Sequence, residues 1–312
     1  MLGPIGPLVG NLLRRRGYSI SRPTRIEKEF IRSPWRVLFG KDPRGFAAVY
    51  QRNRETLSEV PQWIEAEVLE KSLWRYGIPA EWDAHQTQQD RTGLTDIEPE
   101  VTASDVLGLV ARQLNPLSYL EIGVSVGKNL LQISNLVCNA KLTGLDLEEL
   151  NPTLLRYFEE SGPIWRDSKT YRVETLDKKG ADKCSSLLKL RSRTNNGNTL
   201  DYLSADQFRG DTWSKLSGCK FNLILSDGVH SGDALRSELG FLLQYQLIEP
   251  GRPFVMFWDD LWDIEMQSAF LESARALSSI FGVGDEGISM FMLHGSYGLK
   301  RPMGMFRFLP EL

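Results

Sequence analysis

From about residue 101 onward, short apolar runs alternate with stretches of helical spacing. The helical stretches include VLGLVARQL, which Thr102 or Ser104 can cap, and GKNLLQISNLV at 127–137. The apolar runs are SYLEIGV (118–124), KLTGLDL (141–147), TLDYLSAD (199–206), FNLILSD (221–227) and RPFVMFWDD (252–260). Strands that alternate with helices predict an α/β fold, in which helices cover both faces of a mostly parallel sheet.

Three segments depart from this alternation. Residues 26–100 have helix-like stretches without strand alternation, and their polar, turn-rich end at 86–100 is a candidate linker or active-site lid. The highly charged residues 168–197 are interpreted as an insertion, part helix and part mobile loop. The end of the chain, ISMFMLHGSYGLKRPMGMFRFLP, has two apolar runs around a glycine-rich turn, which predicts a C-terminal hairpin. The predicted organisation is a helical extension and lid at 1–100, followed by the α/β domain at 101–312.

Composition narrows the class of protein. A chain of 312 residues can form one large α/β domain with a smaller appendage, and its net charge of −3 offers no basic field for nucleic acid. The three cysteines are odd in number and have no CxxC spacing, which argues against a disulfide framework. A reducing cytoplasm therefore fits best. No run approaches the roughly 18 apolar residues of a membrane span. We therefore expect a cytoplasmic protein without a nucleic-acid partner or a membrane span, and leave open whether it forms a homo-oligomer.

The first candidate site is the glycine-containing turn LEIGVSVG. Gly123 and Gly127 flank a tight strand-to-helix turn, where a ligand can approach the backbone and the helix N-terminus. Ser125 occupies the middle position, where the dinucleotide pattern G-x-G-x-x-G has glycine, so a pyrophosphate cradle is disfavoured. The carboxylate of Glu121 suits a ligand with an ammonium or sulfonium charge.

Two further strand ends carry acids that a nucleoside could use. Asp146 ends the second strand 19 positions after Gly127, close to the spacing of about 20 residues at which an acid accepts hydrogen bonds from a ribose diol. Asp206 ends the third strand and can reach an adenine edge. Either acid could instead cap a helix or lie solvated in a loop. Their order along successive strands favours nucleoside binding.

Two later strand ends, in LILSDGVH and FVMFWDD, also deliver carboxylates. Asp227 follows the first run, and Asp259 and Asp260 follow the second. Buried carboxylates are costly unless they are paired or metal-bound. The two strand ends therefore predict one shared site.

Residues 118–309 resemble class I S-adenosylmethionine-dependent methyltransferases in LEIGVSVG, LTGLDL, LILSDGVH, LIEPGRPFVMFWDD and the terminal hairpin. The resemblance implies a Rossmann-like, seven-stranded, mostly parallel sheet with an antiparallel last strand. S-adenosyl-L-methionine would lie across the carboxyl ends of the strands. The Asp-Gly-x-His and Trp-Asp-Asp motifs are similar to those of Mg²⁺-dependent sugar and macrolide O-methyltransferases and of the related cephalosporin-hydroxylase-like group.

Within that resemblance, the late acids have a physical interpretation. Asp227, Asp259 and Asp260 form an all-oxygen cluster that suits Mg²⁺, and the ion could hold two hydroxyls of an acceptor and acidify one of them. His230 lies three residues after Asp227, and a neutral imidazole near pH 7 could take the proton. His230 could instead be a turn residue that bonds to the start of the helix GDALRSELGFLLQ, and Asp259 or Asp260 could cap the helix that begins near Trp262.

The expected function is methyl transfer from S-adenosyl-L-methionine to a hydroxyl of a small molecule, such as a sugar, a macrolide or another secondary metabolite. Two alternatives remain. One is a metal-independent N- or C-methyltransferase with a structural Asp cluster, and the other is a non-catalytic nucleoside-binding protein of the same fold. The sequence does not identify the acceptor.

Overall fold

The computed structural model describes the helical and strand-forming parts of the chain, namely residues 43–59, 102–161, 164–167, 173–176, 182–185, 188–294 and 300–309. The candidate lid at 86–100 lies outside these ranges and stays a prediction. Among the helices that the structure describes, none combines the length and apolar composition that crossing a bilayer requires.

The described strands form one large sheet and one small sheet. Their bounds are β1 Ser118–Ile122, β2 Lys141–Asp146, β3 Ile164–Asp167, β4 Val173–Leu176, β5 Asp182–Ser185, β6 Leu188–Arg193, β7 Thr199–Ser204, β8 Leu223–Ser226, β9 Phe254–Trp258, β10 Ile288–His294 and β11 Lys300–Phe308. Within the described ranges, the large sheet has the order β10-β11-β9-β8-β1-β2-β7-β6-β3, and β4 pairs with β5 alone.

The centre of the large sheet is parallel. Strands β9, β8, β1, β2 and β7 pair in parallel, and β11 and β10 add an antiparallel hairpin beside β9. These seven strands confirm the Rossmann-like α/β fold that the sequence predicted. The strand order places β1 at the centre, where the chain reverses its direction of winding across the sheet, and ligands bind at such a switch point in open α/β sheets.

The charged insertion differs from its prediction. It was expected to contain helix, but its described residues are strands, and β6 and β3 extend the sheet beyond β7 in antiparallel pairs. In β6, the sequence LKLRSR begins with apolar and basic residues in alternation, the pattern of an antiparallel strand with one face toward solvent. Arg191 of β6 forms two hydrogen bonds to Asp201 of β7, its partner in the register.

Helices cover both faces of the parallel strands. Their bounds are α1 Pro43–Glu59, α2 Ala103–Gln113, α3 Lys128–Leu136, α4 Pro152–Ser161, α5 Gly210–Ser214, α6 Gly232–Gln244 and α7 Ile264–Phe281. Because successive strand residues point to opposite faces, Tyr119 packs in the core under α2 and α3, whereas Leu120 packs in the core under α6 and α7. The sheet is thus buried on both sides, and its strand ends are left to form a site.

The N-terminal extension contributes at least α1 to this structure. Val49 and Leu57 of α1 are buried in the core that also contains α2 and α3. Thr102 caps α2 through a capping box with Asp105, which confirms one of the two predicted caps. Helix α1 therefore packs against α2 and α3.

Candidate active site

The predicted site residues gather at the carboxyl ends of β1, β2, β8 and β9. Parallel strands end at the same edge of a sheet, so the turn after β1 lies between Asp146 on one side and Asp227 on the other. Asp259 follows β9 on the far side of Asp227, and its N–H donates to the Ser226 carbonyl at 2.9 Å. The structure therefore brings the two late acidic strand ends together, as the sequence predicted.

The turn after β1 depends on its glycines. Gly123 has φ +82°, and a Cβ on it would lie 2.2 Å from the carbonyl oxygen of Asp227. Gly127 has φ +77°, and a Cβ there would lie 2.1 Å from a Leu154 methyl group. The positive φ favours glycine at both positions, and at Gly123 the overlap is with backbone atoms that cannot rotate away. Gly123 thus allows the Asp227 loop to pack directly on the turn, at whose tip Ser125 is exposed.

Asp146 organises this turn from the next strand. Its Oδ2 accepts hydrogen bonds from the N–H groups of Val124 at 2.7 Å and Ser125 at 2.8 Å. Its Oδ1 accepts one from the N–H of Glu148 at 2.9 Å. The carboxylate is in the predicted place for a ribose contact, and it also fixes the turn. Contact with a ribose stays a prediction.

The residues after β2 and β7 include two exposed apolar side chains. Leu147 is 72% exposed and Phe208 is 46% exposed, although large apolar side chains are usually buried. Asp206 closes the loop after β7, because its Oδ1 accepts the N–H of Phe208 at 2.9 Å. The predicted adenine contact of Asp206 is not tested.

Glu121 lies one layer beneath the cleft. It is 1% exposed, and it accepts hydrogen bonds from Asn129 Nδ2 at 3.1 Å and from the Tyr119 hydroxyl at 3.2 Å. Burial raises the pKa of Glu121 to about 8, and the charge of Asp227 adds to the rise even though the two hydrogen bonds oppose it. Through its hydrogen bond with Asn129, the Glu121 carboxyl connects the end of β1 to α3. Its predicted contact with a charged ligand is not tested.

Asp227 and His230 form a pair at the end of β8. His230 Nε2 lies 3.2 Å from Asp227 Oδ1, and the N–H of Asp227 donates to the Ile122 carbonyl at 2.8 Å. Ser231, not His230, caps α6, since its Oγ accepts the N–H of Ala234. The alternative in which His230 serves the helix start is therefore wrong.

Asp259 and Asp260 face an arginine from the C-terminal strand. Arg301 Nε donates to Asp260 Oδ1 at 2.6 Å and Nη2 donates to Asp260 Oδ2, while Nη2 also lies 3.3 Å from Asp259 Oδ2. Neither aspartate caps α7, because Asp263 does so by accepting the N–H of Met266 at 2.8 Å. The capping alternative is therefore wrong for both acids.

The carboxylates change the charge expected of His230. Burial alone lowers its pKa, but the hydrogen bond to Asp227 and the charges of Asp227, Asp260 and Asp259 outweigh burial and raise the pKa of His230 to about 9. The sequence predicted a neutral imidazole near pH 7, whereas this environment keeps the ring protonated there. A base at this position is therefore generated as the pH rises.

The predicted Mg²⁺ site is not confirmed, and the residues as placed do not fit the ion. Within the described ranges, no group of three or more His, Cys, Asp or Glu side chains is arranged to hold a metal. Asp260 is held by both guanidinium donors of Arg301 and by Trp262 Nε1, and Asp227 faces His230. Mg²⁺ requires carboxylate oxygens that are free for a near-octahedral shell.

Sequence reasoning missed Arg301 and Asn129. A signal for Arg301 existed, since a C-terminal strand that runs antiparallel to β9 must begin beside the carboxyl end of β9. The hydrogen bond from the Leu261 N–H to the Pro302 carbonyl, at 3.1 Å, fixes that alignment. A basic residue at the start of this strand therefore meets the acids that follow β9.

Comparisons with known proteins agree with this architecture only in general form. No family model matches the chain, and no curated protein matches it in sequence. Among solved structures, it is similar to the S-adenosylhomocysteine-bound methyltransferase PaMTH1 of Podospora anserina, with 14% identity, a TM-score of 0.37, and 73% of this chain and 86% of that chain covered. The O-methyltransferase TomG of Streptomyces achromogenes, in complex with SAM, has 17% identity and a TM-score of 0.39 over 79% and 92% of the two chains. An O-methyltransferase from Bacillus cereus, in complex with SAH, has 11% identity and a TM-score of 0.40 over 80% and 100%. The fold assignment stands on the strand order described above.

Proposed function

We propose that this chain is an S-adenosyl-L-methionine-dependent O-methyltransferase that acts on a hydroxyl of a small molecule. The observation that carries the proposal is the packing of the Asp227 backbone against Gly123, together with the contact between the Asp227 and His230 side chains. A proton acceptor paired with Asp227 would lie near the turn at which we expect the cofactor, at the switch point of the sheet.

The residues of the site divide between holding the cofactor and preparing the acceptor. Gly123, Gly127 and Asp146 shape the turn for the nucleoside, with Leu147 and Phe208 beside a purine. S-adenosyl-L-methionine supplies, when bound, a methyl group on a positively charged sulfur that keeps the bonding electron pair after transfer. The donor end therefore needs no acid or base from the protein, which has to align the partners and deprotonate the acceptor.

Asp227 determines which nitrogen of His230 accepts the proton. In the neutral ring, a hydrogen on Nε2 donates to Asp227 Oδ1, which leaves the lone pair on Nδ1. Nδ1 lies 3.9 Å from Asp260 Oδ2, too far for a direct hydrogen bond, so it is available to a hydroxyl of the acceptor. His230 thus removes the hydroxyl proton, and the resulting alkoxide or phenolate is the nucleophile.

The experiment has a binding step and a transfer step. Calorimetry with S-adenosylhomocysteine tests the cofactor, and radiolabelled methyl transfer to a panel of sugars, macrolides and phenols tests the acceptor. His230→Ala should keep S-adenosylhomocysteine affinity and lose about 10²–10⁴ in transfer rate. Asp233→Asn, at a residue whose side chain is 90% exposed in the first turn of α6, is the control and should change neither.

The outcomes separate the alternatives. Transfer that appears only with amine or carbon acceptors would favour an N- or C-methyltransferase. Binding of S-adenosylhomocysteine without transfer to any acceptor would favour a nucleoside-binding protein. Absence of S-adenosylhomocysteine binding would contradict the proposal as a whole.

A further inference from the structure

The position predicted for a metal ion faces a cation that belongs to the chain itself. Arg301 donates two hydrogen bonds to Asp260, and its Nη2 lies 3.3 Å from Asp259 Oδ2. Arg301 thus engages both oxygens of Asp260, and Trp262 Nε1 donates a further hydrogen bond to Oδ1 at 3.1 Å. A planar guanidinium that binds a carboxylate through two parallel hydrogen bonds is a specific and strong pairing.

The backbone on both sides fixes this pairing. Arg301 is the second residue of β11 and pairs with Leu293 of β10, so its Cα is positioned by the sheet. Asp260 has φ +55°, an unusual conformation for a residue other than glycine, and such conformations cluster at functional sites. Arginine and aspartate are thus held together by the fold itself, as well as by their charges.

Two polar groups of this cluster, one on Asp259 and one on Arg301, have no hydrogen-bond partner among the described residues. Asp259 is 5% exposed, and its Oδ1 is buried with no hydrogen-bond partner in the described part of the chain. Arg301 is 35% exposed, and its Nη1 donates no hydrogen bond to any described residue. A buried oxygen without a partner is costly, and a hydroxyl of a bound acceptor would satisfy it.

We infer that Arg301 is the resident cation of this site and that methyl transfer by this chain requires no divalent metal. Arg301 Nη1 donates to the acceptor oxygen and stabilises its negative charge once His230 has taken the proton. Asp259 Oδ1 accepts a hydrogen bond from a second hydroxyl of the acceptor. The oxygen then bonds to the methyl carbon as the carbon–sulfur bond breaks with its electron pair remaining on sulfur. The inference rests on the proposed function for its chemistry, and it selects acceptors with neighbouring hydroxyls.

Metal affinity tests the inference without an acceptor. Mn²⁺ is the probe, because its paramagnetism reports binding directly and it accepts the same oxygen ligands as Mg²⁺. The wild-type chain should show no specific Mn²⁺ binding at micromolar concentrations. Arg301→Met frees both aspartates and should raise Mn²⁺ affinity by about tenfold or more, whereas Arg252→Met, at the opposite end of β9, should leave it unchanged. Micromolar Mn²⁺ binding by the wild type that is lost in Asp260→Asn would overturn the inference, whether or not the arginine variants fold.

Transfer assays on the same panel of acceptors separate this inference from the proposed function. Rates in excess EDTA and in excess Mg²⁺ should be equal, and Arg301→Lys should retain more activity than Arg301→Met because it keeps the charge. Transfer that requires Mg²⁺ would support the O-methyltransferase and refute the role of Arg301. If S-adenosylhomocysteine does not bind, the proposed function fails, while the Mn²⁺ measurement still decides whether the carboxylates hold a metal.

Discussion

Replacing Gly123 with alanine tests the contact on which the candidate site depends. The new Cβ would lie 2.2 Å from the carbonyl oxygen of Asp227 and 2.4 Å from Gly228 Cα. Both are backbone atoms, so no side-chain rotation can relieve the overlap. The loop that carries Asp227 and His230 must therefore move away from the turn, or the turn must move away from the loop.

The expected loss of unfolding free energy follows from a comparison with a matched control position. Gly218 has φ +89°, close to the +82° of Gly123, and a Cβ on it would meet nothing within 4 Å. Alanine in this left-handed conformation costs about 1–2 kcal/mol at either position. Overpacking adds about 1–3 kcal/mol at Gly123 alone. Gly123→Ala should therefore lose about 2–5 kcal/mol of unfolding free energy, against about 1–2 kcal/mol for Gly218→Ala.

Urea denaturation measures the two losses, and calorimetry with S-adenosylhomocysteine measures their effect on the site. Gly123→Ala should also weaken cofactor binding, since the displaced turn no longer presents its backbone in the same place. Gly218→Ala should bind normally in folded protein. Equal losses of stability with normal binding in both variants would refute the claim that the Asp227 loop packs against Gly123.

Three further predictions concern single carboxyl and imidazole groups. Asp146→Ala removes the acceptor for the turn amides, and calorimetry should find S-adenosylhomocysteine affinity lower by about 1–3 kcal/mol. The wild-type transfer rate should rise with pH up to about 9 as His230 loses its proton, and a rate profile of His230→Gln should lack this rise. Glu121 keeps its proton in the folded state up to about pH 8, whereas an unfolded chain releases it near its ordinary pKa. Wild-type stability should therefore fall as pH rises between these two values, and urea titrations of Glu121→Gln should show a smaller fall.

The sequence predicted the parallel strands because each is a continuous apolar run that ends in a polar residue. Asp146, Asp227 and Asp259 were found from this pattern alone, since a strand buried on both faces leaves only its end for chemistry. The two strands added beyond β7 were missed. In the sequence LKLRSR, charge indicates a helix or a loop, although an antiparallel strand that faces solvent on one side also carries charges.

The partners of the acids could not be predicted from local patterns. Asp260 and Arg301 are 41 positions apart, and their contact depends on the alignment of β11 with β9. The sequence indicated that the acids needed positive charge, which is correct, and it assigned that charge to a metal ion. Predicting a hairpin establishes that β10 and β11 pair with each other. It does not establish which strand lies on the other side of β11, and the surroundings of Arg301 depend on that strand.

A buried polar chain links the N-terminal helix to the candidate site. Asn53 of α1 donates to the Ser104 carbonyl at 3.2 Å, and the Ser104 hydroxyl donates to Asn129 Oδ1 at 2.7 Å. Asn129 Nδ2 then donates to Glu121 at the end of β1. Each of these donors would be costly to bury without an acceptor, and each donates to the next residue of the chain, so a shift of one residue would weaken the hydrogen bond of its neighbour. Helix α1 therefore helps to hold the end of β1 in place, and with it the turn against which the Asp227 backbone packs.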